Sequence, residues 1–103
     1  MKQNVQMIVQ YEVKNTLFSQ YQEVMSNVIN RLPYYDAAEI NISHYNADSY
    51  KIIESFILPT ESHYFALKKL RKSKKHNVFG RLDPFISGGL AKMDCWALKK
   101  QLY

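Results

Sequence analysis

The sequence predicts one α+β domain with the element order β-α-β-β-α-β, and two patterns indicate it. Four short segments are apolar or alternate between apolar and polar residues, as strands do. In two further segments, apolar residues recur at spacings of three and four, as on one side of a helix. A chain of 103 residues is long enough for one domain with its own core and too short for two.

The first half of the chain predicts a strand followed by a helix. The strand covers 5–13, where only Ile8 interrupts the alternation. Polar residues at 14–16 can cap the following helix, because short polar side chains accept hydrogen bonds from the free amides of a first turn. The helix extends over 17–32 and ends before Pro33, whose ring disfavours helical geometry at the preceding residue.

The second half predicts two strands, a helix and a last strand. These elements are expected at 38–45, Tyr50–Leu58, Thr60–Lys75 and 91–98, with a turn at Asn46-Ala47-Asp48-Ser49. The two β-α-β units together form a ferredoxin-like arrangement, in which both helices pack on one face of a four-stranded antiparallel sheet. In that arrangement the third strand is central and the fourth lies beside the first.

Composition excludes several classes of protein. No apolar run approaches the ~18 residues of a transmembrane helix. Met1-Lys2 is followed by an alternating stretch instead of a continuous apolar one, so no signal peptide is expected. Cys95 is the only cysteine, which excludes an intramolecular disulfide framework and a cysteine-based zinc site. We therefore expect a cytoplasmic protein.

Positive charge is concentrated in the second half of the chain. Residues 1–60 contain four Lys or Arg against six Asp or Glu, whereas residues 61–103 contain ten against three. The excess lies mainly in the basic segment Lys68–Lys75, which could attract phosphates, an anionic lipid or an acidic ligand. The alternative is that these side chains form the solvated face of the second helix, and we favour that interpretation.

The sheet face that points away from the helices predicts a partner. Successive side chains of a strand point to opposite faces of the sheet. If Val5, Met7 and Val9 face the helices, the other face carries Gln6, Ile8, Gln10, Asp94, Trp96 and Leu98. Large apolar side chains mixed with a few polar groups suit a surface covered by a second subunit. We therefore expect a homodimer.

Three segments resemble a known group of proteins. They are Tyr50-Lys51-Ile52-Ile53-Glu54-Ser55-Phe56, Pro59-Thr60-Glu61 and Ser73-Lys74-Lys75-His76-Asn77-Val78-Phe79. They resemble the third strand and second helix of the antibiotic-biosynthesis-monooxygenase-like domains, which are dimeric α+β barrels. The resemblance implies a homodimer whose two sheets close into a barrel, with a pocket beside each sheet.

The resemblance also bears on activity. The group contains cofactor-independent oxygenases, haem-degrading oxygenases and domains with no known activity. Its haem-degrading members use a first-strand asparagine, a third-strand tryptophan and a second-helix histidine. Phe56 stands in the place of the tryptophan, the first strand offers only Gln6 and Gln10, and His76 alone matches. We therefore expect neither haem nor any other cofactor.

The predicted ligand pocket combines Glu54, Phe56 and Trp96, with His76 at its rim, and Glu54 and His76 are candidates for catalysis there. Glu54 and Phe56 share a face by the period of two, and Trp96 could stack a flat ligand two strands away, provided that it faces the same side. Each residue also has a structural interpretation. A mid-strand carboxylate such as Glu54 can be ion-paired instead of catalytic, and Trp96 can pack in a dimer interface.

The remaining candidate residues are weaker. Asp94, on the face of Trp96 and Gln10, could act as a general base if burial raised its pKa, or could simply pair with a lysine. Gln10 is included as a ligand-binding candidate. The three histidines lie on separate elements without metal-ligand spacing, so no metal is expected. Cys95 is predicted to be an inert core thiol.

The sequence therefore favours a cytoplasmic homodimer that binds an apolar or aromatic small molecule in its barrel, with cofactor-independent monooxygenase activity implied by resemblance alone. The alternative is a non-catalytic binding or regulatory module that uses its basic second helix to engage an acidic partner or nucleic acid. Nucleic acid is the less favoured partner, because the aromatic residues that would stack on bases lie on the face assigned to the dimer. No membrane association is expected.

Overall fold

The computed structural model describes residues 3–46 and 49–101 as a four-stranded antiparallel sheet with two helices. The elements are β1 (Gln3–Glu12), α1 (Phe18–Arg31), β2 (Ala38–His44), β3 (Lys51–Leu58), α2 (Glu61–Arg71) and β4 (Asp94–Gln101). The predicted α+β class and four-stranded antiparallel sheet are confirmed. Positions 47 and 48 of the predicted turn lie outside the described residues.

The strands lie in the order β2-β3-β1-β4, which is compatible with the predicted ferredoxin-like arrangement. The register places Met7 of β1 opposite Phe56 of β3 and Ala97 of β4. The next residue, Ile8, lies opposite Ser55 and Trp96. Since successive side chains alternate between the two faces of a sheet, this register assigns every strand residue to one face.

Both helices cover the same face of the sheet. The hydroxyl of Tyr21 on α1 contacts the hydroxyl of Tyr11 on β1, and the guanidinium of Arg71 on α2 contacts the carboxylate of Glu54 on β3. The core lies between this face and the helices, and Met7, Val9 and Phe56 have no exposed surface there.

The opposite face carries no element of the described part of the chain, and we call it the open face. Its described side chains from the three strands β1, β3 and β4 are Asn4, Gln6, Ile8, Gln10, Glu12, Lys51, Ile53, Ser55, Ile57, Asp94, Trp96 and Leu98. Trp96 and Leu98 retain 39% and 48% of their surface exposed.

Helix α2 begins where the sequence predicts and ends earlier than predicted. The Thr60 side chain accepts a hydrogen bond from the amide of His63, as an N-cap residue does. The helix ends at Arg71 instead of near Lys75, and hydrogen-bonded turns follow it, from the His76 amide to the Ser73 carbonyl and from the Gly80 amide to the His76 carbonyl. These turns bring Gly80 so close to the Lys74 carbonyl that a Cβ at position 80 would collide with the oxygen.

Strand β4 begins at Asp94, whereas the alternation predicted a start at residue 91. Residues 90–92 form a turn of 3₁₀-helix after Gly88 and Gly89, which both have positive φ. The carboxylate of Asp83 holds this turn by accepting a hydrogen bond from the Leu90 amide at 2.9 Å. Met93 is buried although it precedes the strand, so the apolar alternation in the sequence begins before β4 does.

Neither helix of the described residues combines the length and the apolar character needed to cross a membrane.

Candidate functional site

The structure separates the residues of the predicted pocket. Glu54 and Phe56 face the helices and have no exposed surface, whereas Trp96 belongs to the open face. The prediction that these three side chains share one pocket is therefore wrong. The physical reason lies in β3, both faces of which are apolar, so the alternation of that strand did not decide which face Glu54 occupies.

Glu54 belongs to a buried polar cluster that also contains Tyr11, Tyr21 and Arg71. Two guanidinium nitrogens of Arg71 donate to the two carboxylate oxygens of Glu54, at 2.6 and 2.7 Å. The hydroxyl of Tyr11 donates to the same carboxylate at 2.6 Å. Such a bidentate, charge-assisted arrangement is the geometry that best compensates for burying an ion pair. The structural interpretation of Glu54 is thus the one that the geometry supports.

The hydrogen bonds of the cluster have one direction. The single proton of the Tyr11 hydroxyl goes to Glu54, so the Tyr21 hydroxyl, 2.7 Å from that of Tyr11, must donate to the Tyr11 oxygen. Burial and the negative charge of Glu54 raise the pKa of Tyr11, and burial raises the pKa of Tyr21. Both phenols therefore remain protonated at neutral pH.

Arg71 is the residue of the basic segment that does not reach solvent. Burial works against its charge, but the adjacent Glu54 carboxylate outweighs burial and raises the pKa of Arg71. The guanidinium lies 5.3 Å from the centroid of the Phe79 ring, and its Nε has no hydrogen-bond partner among the described residues. The prediction that the whole segment forms a solvated helix face is therefore wrong at position 71.

His76 is held by its own loop. Its Nδ1 accepts hydrogen bonds from the amides of Val78 and Phe79, both at 3.1 Å, and therefore carries no proton. The other nitrogen, Nε2, then bears the proton and donates to the Tyr35 hydroxyl at 3.0 Å. Burial and the charge of Arg31 lower the pKa of His76. Both ring nitrogens are engaged within the protein, as expected of a loop-capping residue.

The other candidates lie on the sheet's two faces. Gln10 and Asp94 are directly opposite each other on the open face, where they line a shallow recess of about 400 Å³ with Lys51. Cys95 faces the helices and is half-buried, and burial raises the pKa of its thiol. A raised pKa keeps the thiol protonated and unreactive, which agrees with the inert role predicted for it.

An apolar cavity lies between α1 and β2, and we call it the α1–β2 groove. It has a volume of about 320 Å³ and is lined by Phe18, Tyr21, Gln22, Met25, Ser26, Ile29, Ile42, Ser43, His44 and Ile52. None of these residues is acidic, lysine or arginine. Cavities of this size, with apolar walls and a few polar groups, are typical ligand sites.

Sequence reasoning missed this groove, although α1 contained a signal for it. The predicted apolar stripe of the helix is wider than the core needs. Tyr21, Val24, Met25 and Val28 fill the core, which leaves Phe18 and Ile29 only partly buried beside it. An apolar side chain on the flank of a helix, next to an edge strand with its own isoleucines, indicates a groove between the two.

The polar groups of the groove have assignable roles. The ring nitrogen Nδ1 of His44 donates to the Ser49 carbonyl at 2.9 Å, which leaves Nε2 as an acceptor in the neutral ring. The His44 ring packs against Phe18, with 5.5 Å between centroids. Tyr21 belongs both to the groove wall and to the buried polar cluster.

Comparison with known proteins adds no relative: no protein-family model matches the chain, and no curated protein matches it significantly. The resemblance to the monooxygenase-like domains therefore stays a prediction. Within residues 3–46 and 49–101 no three His, Cys, Asp or Glu side chains form a group that could hold a metal ion.

Proposed function

We propose that the protein is a homodimer that binds a small apolar or aromatic molecule in the α1–β2 groove of each subunit. The observation that carries the proposal is the groove itself, an apolar cavity of ligand size on the side of the sheet that bears the helices. The sequence placed the ligand between the two sheets of a barrel instead. Trp96, on the open face, belongs to that other location.

The chemistry of the groove favours binding over turnover. Its described lining contains no carboxylate, and Glu54, one of the predicted catalytic candidates, is closed off by Arg71 and Tyr11. The hydrogen-bonding groups that remain are His44 Nε2, the Gln22 carboxamide and the Ser26 hydroxyl oxygen, whose proton goes to the Glu23 carbonyl. These would orient a flat ligand that carries a hydroxyl or an amine. Monooxygenase activity, which the resemblance implies, has no group in this groove to support it.

A binding experiment with 2-naphthol as the probe tests the groove. We expect chemical-shift changes at the methyl groups of Met25, Ile29 and Ile42 and no change at the indole N–H of Trp96. Ser26→Phe should fill the groove and abolish the changes. Ser19→Phe makes the same substitution on α1 outside the groove and should leave them intact. A chemical-shift change at the Trp96 indole N–H without methyl changes would contradict the groove and favour a barrel ligand.

The homodimer rests on the open face. Half-buried Ile8, Ile53 and Ile57 form, with the exposed Trp96 and Leu98 of β4, an apolar patch that Gln6, Gln10 and Ser55 interrupt. A patch of this kind on a sheet indicates an interface. The edge of β2 is less suited to pairing, because a bulge near its start disrupts the regular ladder, with Glu39 at a φ of 51°.

Light scattering tests the dimer. We expect the mass of two chains for the natural protein and of one chain for Trp96→Lys, because a charge would have to be buried at the interface. Phe65→Lys is the matched control, since Phe65 is an exposed aromatic residue on α2, with 61% of its surface accessible. A natural protein with the mass of one chain would contradict this interface, and so would loss of the dimer in the control alone. Neither result bears on the groove.

A second candidate function rests on the basic segment. Apart from the buried Arg71, its lysines at 69, 72, 74 and 75 are exposed. They would engage an acidic partner by long-range attraction, which salt screens strongly. Binding in the apolar groove should change little between low and high salt, so the ionic-strength dependence of any partner found distinguishes the two functions.

A further inference from the structure

We propose that the protein has a second binding site, which takes a compact oxyanion of the phosphate or carboxylate type between the end of α1 and the loop after α2. The site is a pocket of about 280 Å³ lined by Asn27, Asn30, Arg31, Tyr34, Val78 and Arg81. We call it the arginine pocket. It is independent of the α1–β2 groove and of the dimer.

The spacing of the lining residues brings them together. Asn27, Asn30, Arg31 and Tyr34 follow the spacing i, i+3, i+4 and i+7, which aligns them along one flank of α1 and its 3₁₀ extension at 32–35. Arg81, from the 3₁₀ segment Phe79–Phe85, faces them across the pocket. The groove residues Phe18, Gln22 and Ile29 lie on the opposite flank of the same helix.

The pocket has positive charge without a counter-charge. None of its lining residues is acidic, and among the described residues neither Arg31 nor Arg81 forms an ion pair with a carboxylate. Arg71, by contrast, is fully paired with Glu54. Two guanidiniums that share a small pocket repel each other, and a bound oxyanion would remove that repulsion and accept from both.

The geometry of the pocket also supplies donors in addition to charge. The Arg31 guanidinium lies 4.7 Å from the centroid of the Tyr34 ring, an arrangement that holds the long side chain in place. The carboxamides of Asn27 and Asn30 are exposed and line the pocket, so each can donate to an anion. Guanidinium and amide groups together are the donors that oxyanion sites use.

His76 provides a reporter for occupancy. Burial lowers the pKa of His76 and the charge of Arg31 lowers it further, while His76 itself does not line the pocket. An anion bound at Arg31 would offset that charge, so the pKa of His76 should rise when the pocket is occupied. His44 and His63 do not line the pocket either and serve as internal controls in the same spectrum.

The experiment is an NMR titration of the three histidines in sodium sulfate, compared with sodium chloride at equal ionic strength. Sulfate keeps its charge between pH 5 and 8, so the pH scan is free of titration of the probe. We expect a rise in the pKa of His76 alone, and a loss of sulfate affinity of at least tenfold in Arg31→Gln and in Arg81→Gln. The Arg81 variant is decisive, because it leaves intact the Arg31 charge that sets the reporter.

Lys69→Gln removes one exposed positive charge from α2 and is the matched control, which should bind sulfate as the natural protein does. Equal weakening in this control, or a His76 pKa that sulfate does not move, would overturn the site. Inorganic phosphate and acetate, measured at pH 7.5 in competition with sulfate, then identify the source. Tighter binding of phosphate than of acetate indicates a phosphoryl ligand, and equal binding of the two indicates a general oxyanion site. If neither anion displaces sulfate, the proposal is overturned.

Discussion

The two faces of the sheet use polar residues in different ways, although neighbouring residues of one strand supply them. On the helix face, Glu54 is fully buried and accepts hydrogen bonds from Arg71 and Tyr11. On the open face, the next residue, Ser55, accepts one hydrogen bond from Gln6 at 2.7 Å and stays half-exposed. The difference teaches that the helix face satisfies its polar groups within one chain, while the open face leaves side chains such as Trp96 and Leu98 exposed.

The largest effect is expected from breaking the ion pair on the helix face. Arg71→Met should lower the free energy of unfolding by about 3–5 kcal/mol, because it leaves the buried Glu54 carboxylate without a counter-charge. Urea denaturation measures this. Adding Glu54→Met to the same chain should restore most of the loss. A cost below about 1 kcal/mol for the single variant would mean that the helix face does not depend on the pair.

A smaller effect on the same face is expected from Tyr11→Phe. The variant keeps the ring but removes the hydroxyl that donates to Glu54 and accepts from Tyr21. Hydrogen bonds to charged groups contribute about 1.5–3 kcal/mol, so unfolding should become easier by that amount in the same urea assay. An unchanged midpoint would contradict the directed hydrogen bonds of the cluster.

His76 extends the comparison to pH. Because its pKa in the folded protein is lowered from the ordinary 6.5, folding favours the neutral ring, and the stability it contributes is present above pH 6.5. That contribution is lost as the pH falls from 6.5 through the lowered pKa. His76→Asn places an uncharged acceptor near the position of Nδ1, so its stability should fall less between pH 7 and 5 than that of the natural protein. Parallel pH curves would show that His76 does not contribute.

The smallest effect is expected on the open face. Ser55→Ala removes one hydroxyl, as Tyr11→Phe does, but its partner Gln6 is half-exposed and can bind water instead. The free energy of unfolding should change by less than about 1 kcal/mol. A cost equal to that of Tyr11→Phe would mean that the two faces are not energetically different.

The sequence predicted the elements of the fold because their signals are local. Alternation along β1 and the stripe of α1 located both elements, and Pro33 and Thr60 marked helix boundaries. The alternation also covers Met93, which lies before β4 in a different backbone conformation, and the predicted strand therefore begins too early. The physical cause is that burial, which the pattern reports, does not require a strand.

The buried polar cluster and the arginine pocket were harder to predict, because each depends on contacts between residues that are distant in the sequence. Arg71 looks like one of many solvated cations in a basic segment, and only the packing of α2 on the sheet brings it to Glu54, 17 positions earlier. The arginine pocket likewise joins Arg31 and Arg81, which no motif connects. Such pairings have no periodicity, so composition and spacing do not contain them.

The pairing of Glu54 with Arg71 has a consequence for how the chain selects one alignment of its sheet. Both faces of β3 are apolar, so a slip of one residue against β1 would bury Ile53 and Ile57 about as well as it now buries Ile52 and Phe56. Hydrophobicity alone would leave the two alignments close in energy. The slipped alignment, however, would turn Glu54 away from α2. The Arg71 guanidinium would then be buried without a counter-charge, at a cost of several kcal/mol. The ion pair thus stabilises the observed alignment of the sheet relative to the slipped one.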